Sequence, residues 1–254
     1  MTIPTNYDEA LKQLGALRQE HDNFKAYHRL LTRALVHEIR SAFGAMIGHL
    51  DLLNLEGLSP EVVETVTAVK GQGYRLSRIM ETLHWTNQVD HPDFYLKAEA
   101  VDTRQLIEEA VQEIQIRYEN HDFVMQMPQG LPPVFVDRAR MMTALVFVLQ
   151  NAVRFTPEDE TILISVLPTA SSSKQLIINI DYDGTELPPE FKADPFSVVT
   201  ELISNTSGQA RAILGLGLYP AHEIACRAGG DLMLIESSPT HTTFQFKIPL
   251  AEML

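Results

Sequence analysis

Along the first ninety residues, apolar side chains recur at spacings of three and four, the signature of helices that bury one stripe. No proline interrupts Asp8 to Leu53. Leu14, Leu17, Phe24, Leu31 and Leu35 form a narrow heptad seam, with His21 and His28 in the same stripe, as in a helix–helix interface. After Leu35 the stripe shifts by one residue, to Val36, Ile39, Phe43, Met46, Leu50 and Leu53. The shift predicts a change from a two-stranded coiled coil to a wider bundle, or a local change in winding. Asn54 to Pro60 reads as a turn, with Gly57 ending one helix and Ser59-Pro60 capping and starting the next. The second helix carries Val62, Val66, Val69, Gly73, Leu76, Met80 and Leu83. A lone hairpin cannot bury all these positions, so the pattern predicts a homodimer forming a four-helix bundle.

After His91-Pro92 helix and strand patterns alternate. Helices are predicted over Thr103–Tyr118, Arg138–Phe155 and Tyr219–Ala228, the last ended by Gly229-Gly230. Strands are predicted over Phe123–Met127, Val134–Val136, Thr161–Leu167, Leu176–Tyr182, Leu232–Glu236 and Thr242–Ile248. The fold class is α+β: a helical hairpin, then an α/β sandwich with helices on one face of a mixed sheet. The expected domains are a coiled-coil helix over 1–30, a dimerisation hairpin over 31–92 and the sandwich over 93–254.

Composition narrows the function. The 254 residues carry a formal net charge of −13, which argues against a general nucleic-acid footprint and against anionic membrane surfaces. The single cysteine excludes an intramolecular disulfide and multi-cysteine metal sites. No apolar run approaches the roughly 20 residues of a membrane helix, and the start does not read as a signal peptide. The expected location is the cytoplasm.

Three places carry candidate chemistry. His37-Glu38 lies between the two phases of the first stripe, where an exposed imidazole is a usable nucleophile and Glu38 is placed to orient it or take its proton. On local sequence alone, with nine histidines in the chain, a solvated helix face carrying a His-Glu pair is the better reading. On the helix ending at Phe155, Asn151 offers an amide oxygen to a hard cation such as magnesium, Arg154 reaches phosphate, and Phe155 offers an aromatic face to a base. Gly215 and Gly217, before a helix, permit close backbone approach to phosphate. The other histidines lack zinc-ligand spacing. Cys226 reads as a buried helix residue.

In this order, the pieces resemble the catalytic core of two-component sensor histidine kinases, over about residues 10 to 250. His37-Glu-Ile-Arg resembles the phosphoacceptor box. Val136-Asp-Arg-Ala-Arg140 with Asn151-Ala-Val-Arg-Phe-Thr-Pro157 resembles the asparagine box. Asp183-Gly184 to Pro189 sits at the first glycine box, Gly215-Leu-Gly-Leu218 at the second, and Gly229-Gly-Asp-Leu to Leu250 at the closing strands. The resemblance implies a dimeric bundle carrying His37, an ATP-binding sandwich using magnesium, and a response-regulator receiver domain as partner. Input would enter through an N-terminal helix, a partner or a separate sensor protein.

Departures cluster at the nucleotide site. Counting back from Leu187-Pro188 puts Tyr182 where the family has the adenine-binding aspartate, and Glu186 at its second glycine. Strand alternation places Tyr182 on the face of Leu176, Ile178 and Ile180, with Asp181 and Asp183 on the other. Phe147 stands for the first of two asparagines and Ile213 for the leading glycine of the second box. Glu186, Asp181 and Asp183 are expected to crowd the edge that an anionic nucleotide would approach. The reading is a histidine kinase-family protein whose His37 passes a phosphoryl group to or from a regulator aspartate, with ATP use impaired. A fully active autokinase and a pseudokinase scaffold are the alternatives.

Overall fold

The computed structural model describes residues 14–15, 19, 32, 34–36, 38–158, 160–167, 174–184, 186–187, 189–203, 210–214 and 218–251. His37, Gly215, Gly217 and most of the heptad seam of residues 1–30 lie outside the described residues. The chain divides into two compact units, Met1–Gln88 and Val89–Leu254. That boundary falls slightly before the one expected at 92/93.

The first unit contains helix α1 over residues 38–51 and α2 over Pro60–Val89. The two expected stripes each resolve into two seven-residue seams. Val36 is buried and Phe43 and Leu50 half-buried on α1's side, opposite half-buried Val66 and buried Gly73 and Met80 on α2. Ile39, Met46, Val62 and Val69 form a second seam that stays exposed. Ile47, absent from the expected stripe, is also buried. The hairpin is tied at its turn end by Tyr74, whose hydroxyl donates to both Asp51 oxygens at 2.9 and 3.0 Å, and by Lys70, 3.1 Å from Asp51.

The second unit is the α+β sandwich. Helices α3 (Thr103–Arg117) and α4 (Arg138–Phe155) start where Asp102 and Asp137 accept hydrogen bonds from the backbone N–H groups of Gln105 and Arg140. Helix α5 is the short Pro189–Ala193, and α6 spans Leu218–Arg227. The five-stranded sheet runs in the order β2 (Asp122–Gln126), β4 (Thr161–Leu167), β5 (Gln175–Asp183), β9 (His241–Pro249), β8 (Asp231–Ser237). The β2–β4 pair is parallel and the other pairs antiparallel, so the sheet is mixed. Strands β1 (Glu99–Val101) and β3 (Val134–Val136) pair separately, as do β6 (Val199–Ile203) and β7 (Ala210–Leu214).

Strict alternation sorts the central strands. Ile162, Ile164 and Val166 of β4, Leu176, Ile178 and Ile180 of β5, and Phe244, Phe246 and Ile248 of β9 are all buried. The buried faces of α3, α4 and α6 complete this core, with α4 packed between the other two. Among the described residues, no helix is long and apolar enough to cross a membrane.

Candidate functional site

Of the site expected from the sequence, Asn151, Arg154 and Phe155 lie at the C-terminal end of α4, and Tyr182 and Gly184 at the end of β5, while Gly215 and Gly217 fall outside the described residues. Helix α4 is apolar almost all round because α3 and α6 cover its flanks. Phe147 and Asn151 lie one turn apart on it, both buried, with Asn151 only 3% exposed. Thr156 caps the helix, its backbone N–H and hydroxyl both donating to the Ala152 carbonyl, at 3.0 and 2.8 Å. Arg154 is exposed, and its guanidinium stands 5.3 Å over the Phe155 ring. One face of Phe155, expected to be open to a base, is therefore occupied by the chain's own cation.

Strand β5 then crosses the end of α4. A Cβ on Gly184 would lie 1.9 Å from the Phe155 carbonyl oxygen, so only glycine passes there. This crossing brings Phe155 and Gly184 together, with Tyr182 two residues up the strand.

Tyr182 is 2% exposed and continues the inner face of Leu176, Ile178 and Ile180. Burial pushes its phenol well above the usual tyrosine range, against a smaller opposing pull from Thr242 across the strand pair. Its hydroxyl makes no hydrogen bond within ordinary limits. The neighbouring carboxylates face the other way. Asp181 accepts from the Thr243 hydroxyl at 2.7 Å, and Asp183 lies 2.6 Å from Nδ1 of His241.

The expected crowding of carboxylates at the nucleotide edge is therefore not what forms. Asp181 and Asp183 are held on the outer face of the sheet by strand β9, and Glu186 forms an ion pair with Lys192 of α5. Alternation decides the first outcome and the short helix after Leu187 the second.

Sequence reasoning missed one cluster. Cys226, expected to be buried, is exposed on the outer side of α6. Its Sγ lies 3.5 Å from Nε2 of His222 and 3.7 Å from Oδ1 of Asp231. Partial burial, and the Asp231 carboxylate beside it, push the Cys226 thiol up. The i,i+4 spacing of His222 and Cys226 was visible in the sequence; Asp231 enters only through the turn after the helix.

Residues 136–252 match the family described as histidine kinase-, DNA gyrase B-, and HSP90-like ATPase. The chain is 25% identical over 230 residues to the adaptive-response sensory kinase SasA of Gloeothece citriformis, covering 85% of this chain and 56% of that protein. It is 25% identical over 252 residues to SasA of Synechococcus sp. strain CC9311, covering 94% of this chain and 62% of the relative. The probable sensor histidine kinase TcrY of Mycobacterium tuberculosis is 25% identical over 217 residues, covering 84% of this chain and 44% of TcrY. The chain thus spans only part of the length of these relatives. Among solved structures, full-length ShkA in complex with AMPPNP superposes with a TM-score of 0.60 at 22% identity, covering 87% of this chain and 46% of ShkA. The histidine kinase AdeS of Acinetobacter baumannii gives 0.56 at 20% identity, covering 85% of this chain and 98% of the other. Both share the fold of the described residues.

Proposed function

We propose that this chain, similar to sensor histidine kinases along most of its length, is a two-component histidine kinase-family protein that carries a phosphoryl group on His37, exchanged with an aspartate of a receiver domain, and that its own use of ATP is weak. The observation that carries the second half is the buried Tyr182 with Asp181 and Asp183 turned away from it. Residues 136–252 belong to an ATP-binding domain family. At the position where that family presents a carboxylate to adenine, this chain presents an aromatic ring packed into its core. An amino group arriving there would meet no acceptor carboxylate, and an unpaired polar group is costly to bury. The residues present do not fit adenine in the family's manner.

On this chain's side the exchange needs only His37 and Glu38. One imidazole nitrogen of His37 attacks the phosphorus of an aspartyl phosphate, the P–O bond to the aspartate breaks, and that carboxylate leaves. Glu38 takes the ring proton and returns it when a second aspartate accepts the phosphoryl group. The exposed seven-residue seam of Ile39, Met46, Val62 and Val69 supports a homodimer as the working unit. The retained Asn151 and Arg154 favour the second reading, an autokinase in which Asn151 would hold magnesium and Arg154 would neutralise phosphate charge.

Incubation with γ-labelled ATP and magnesium, beside incubation with a receiver domain phosphorylated on aspartate, separates the readings. The expected result is faint labelling from ATP, strong labelling from the receiver domain, and loss of both in His37→Ala. Strong ATP labelling would establish the autokinase instead. Label retained by His37→Ala would remove the phosphoacceptor role.

A further inference from the structure

The corner between α6 and β8 holds a second candidate site, remote in sequence from His37 and made from different chemistry. His222 and Cys226 stand one turn apart on the same face of α6, and Asp231 is the first residue of β8. The chain reaches Asp231 through Gly229, whose φ of +80° is the left-handed turn that ends the helix. The three potential ligand atoms converge. Nε2 of His222 is 3.5 Å from Sγ of Cys226 and 3.8 Å from Oδ1 of Asp231, and Sγ is 3.7 Å from that same oxygen. All three lie within 4.8 Å of one another.

These separations have a definite meaning. Zinc bonds of roughly 2.3 Å to sulfur and about 2.0–2.2 Å to nitrogen and oxygen, set at tetrahedral angles, put such ligand atoms roughly 3.4–3.6 Å apart. The observed separations are of this size, and because Sγ stands 4.0 Å from Nδ1 as well as 3.5 Å from Nε2, beside the ring face, a turn of the His222 side chain is what brings the Nε2 lone pair onto the shared point. Both flanking ligands also have a second contact. The His222 ring stacks on Phe196, with centroids 4.4 Å apart and planes 19° apart, and Oδ1 of Asp231 accepts a hydrogen bond from the Leu232 N–H at 2.9 Å. Second contacts of this kind orient metal ligands.

We propose that His222, Cys226 and Asp231 bind a borderline-soft divalent cation of the zinc type, with a fourth position open to water. A thiolate–imidazole–carboxylate set selects against magnesium and calcium, which prefer all-oxygen shells. The site is therefore chemically distinct from any magnesium held at Asn151. Binding releases the thiol proton of Cys226 to solvent as the sulfur–metal bond forms. The bound ion ties the last turn of α6 to the first residue of β8, and holds the His222 ring that Phe196 covers.

Cobalt(II) is the probe, because a thiolate ligand gives a sulfur-to-cobalt charge-transfer band and Cys226 is the only cysteine in the chain. The intact chain, kept reduced with a phosphine, is titrated with cobalt and then with zinc. The expected result is a saturable band at one cobalt per chain, with strong visible absorption of tetrahedral type, bleached by zinc. Cys226→Ser abolishes the band, and its exposed position lets the variant keep the circular dichroism of the unaltered chain. His222→Ala and Asp231→Asn each weaken binding about tenfold or more. No saturable charge-transfer band overturns the proposal. So does a band whose affinity is unchanged in both His222→Ala and Asp231→Asn, since sulfur would then be binding without its neighbours.

Discussion

Gly184 passes so close over the end of α4 that a Cβ on it would stand 1.9 Å from the carbonyl oxygen of Phe155. The obstacle is backbone at a capped helix terminus, where Thr156 is already committed to the Ala152 carbonyl. Neither side yields cheaply. Gly184→Ala is therefore expected to destabilise the second unit by about 1–3 kcal/mol, the usual cost of overpacking. Urea unfolding of the intact chain, followed by circular dichroism, reads this as a lower midpoint. A shift of less than about 0.5 kcal/mol, the range of neutral surface changes, would mean that the two elements separate easily and that Gly184 serves some other purpose.

Tyr182 makes a sharper case because its ring and its hydroxyl are expected to behave oppositely. The ring fills core at the end of β5, so Tyr182→Ala should cost about 3–5 kcal/mol, as for other large aromatic truncations. The buried hydroxyl makes no ordinary hydrogen bond, so Tyr182→Phe is expected to be neutral or stabilising. Tyr182→Asp restores the family's carboxylate at a cost in stability, and should tighten ATP binding measured by calorimetry with magnesium. If the unaltered chain already binds ATP at micromolar concentration, Tyr182 is not what limits the pocket.

How much of this was readable beforehand follows from the range of the forces involved. Strands β4, β5 and β9 and helices α3 and α4 were legible because each shows its period over seven or more residues, and Asp102 and Asp137 mark the helix starts. The opposite orientations of Tyr182 and Asp181 follow from the same period of two. Strand β1, helix α5 and the β6–β7 pair were missed because pairing partners, not local pattern, define such short pieces. The Glu186–Lys192 pair depends on a five-residue helix between its members, and the His222–Cys226–Asp231 triangle on one left-handed glycine. Neither is written in a periodicity. The roles of His37, Gly215 and Gly217 rest on the sequence motifs alone.

The turn end of the hairpin should respond to acid. The Tyr74 hydroxyl, and after it Lys70, hold the Asp51 carboxyl below its ordinary value, while Asp51 pushes the Tyr74 phenol up. A depressed carboxyl adds stability that is present above its unfolded pKa, about 3.9, and lost as pH falls through the lower folded value. A raised phenol adds stability that is present below its unfolded pKa, about 10, and lost as pH rises through the higher folded value. Between these limits the pair is intact. Asp51→Asn should lower the melting temperature of the intact chain slightly at neutral pH, the effect being small because the group is exposed. The difference between the two proteins should shrink below about pH 4. A difference that stays constant from neutral to strongly acidic pH would assign the loss to packing instead.

The exposed seam of the hairpin sets the last expectation. Ile39 and Met46 on α1, and Val62 and Val69 on α2, are 36%, 40%, 43% and 44% exposed and each pair is spaced by seven. Phe43, Met46, Val69, Gly73 and Leu76 line a shallow groove between the helices. A seven-residue apolar repeat is the pattern that a second helix pair covers, and an open patch of this kind is unfavourable in a lone chain. The intact chain is therefore expected to run as a dimer in light scattering at micromolar concentration. Met46→Asp with Val69→Asp puts four carboxylates into the shared seam of the dimer. Each replaces a side chain worth about 1.5–3 kcal/mol on burial, so the dissociation constant should rise at least about 100-fold. The inner seam, buried around Val36, Gly73 and Met80, is untouched by these changes, so the second unit and the inner hairpin contacts remain as a control by circular dichroism. A monomer mass for the unaltered chain ends the four-helix-bundle reading. A dimer that persists in the double variant shows that association runs through another surface.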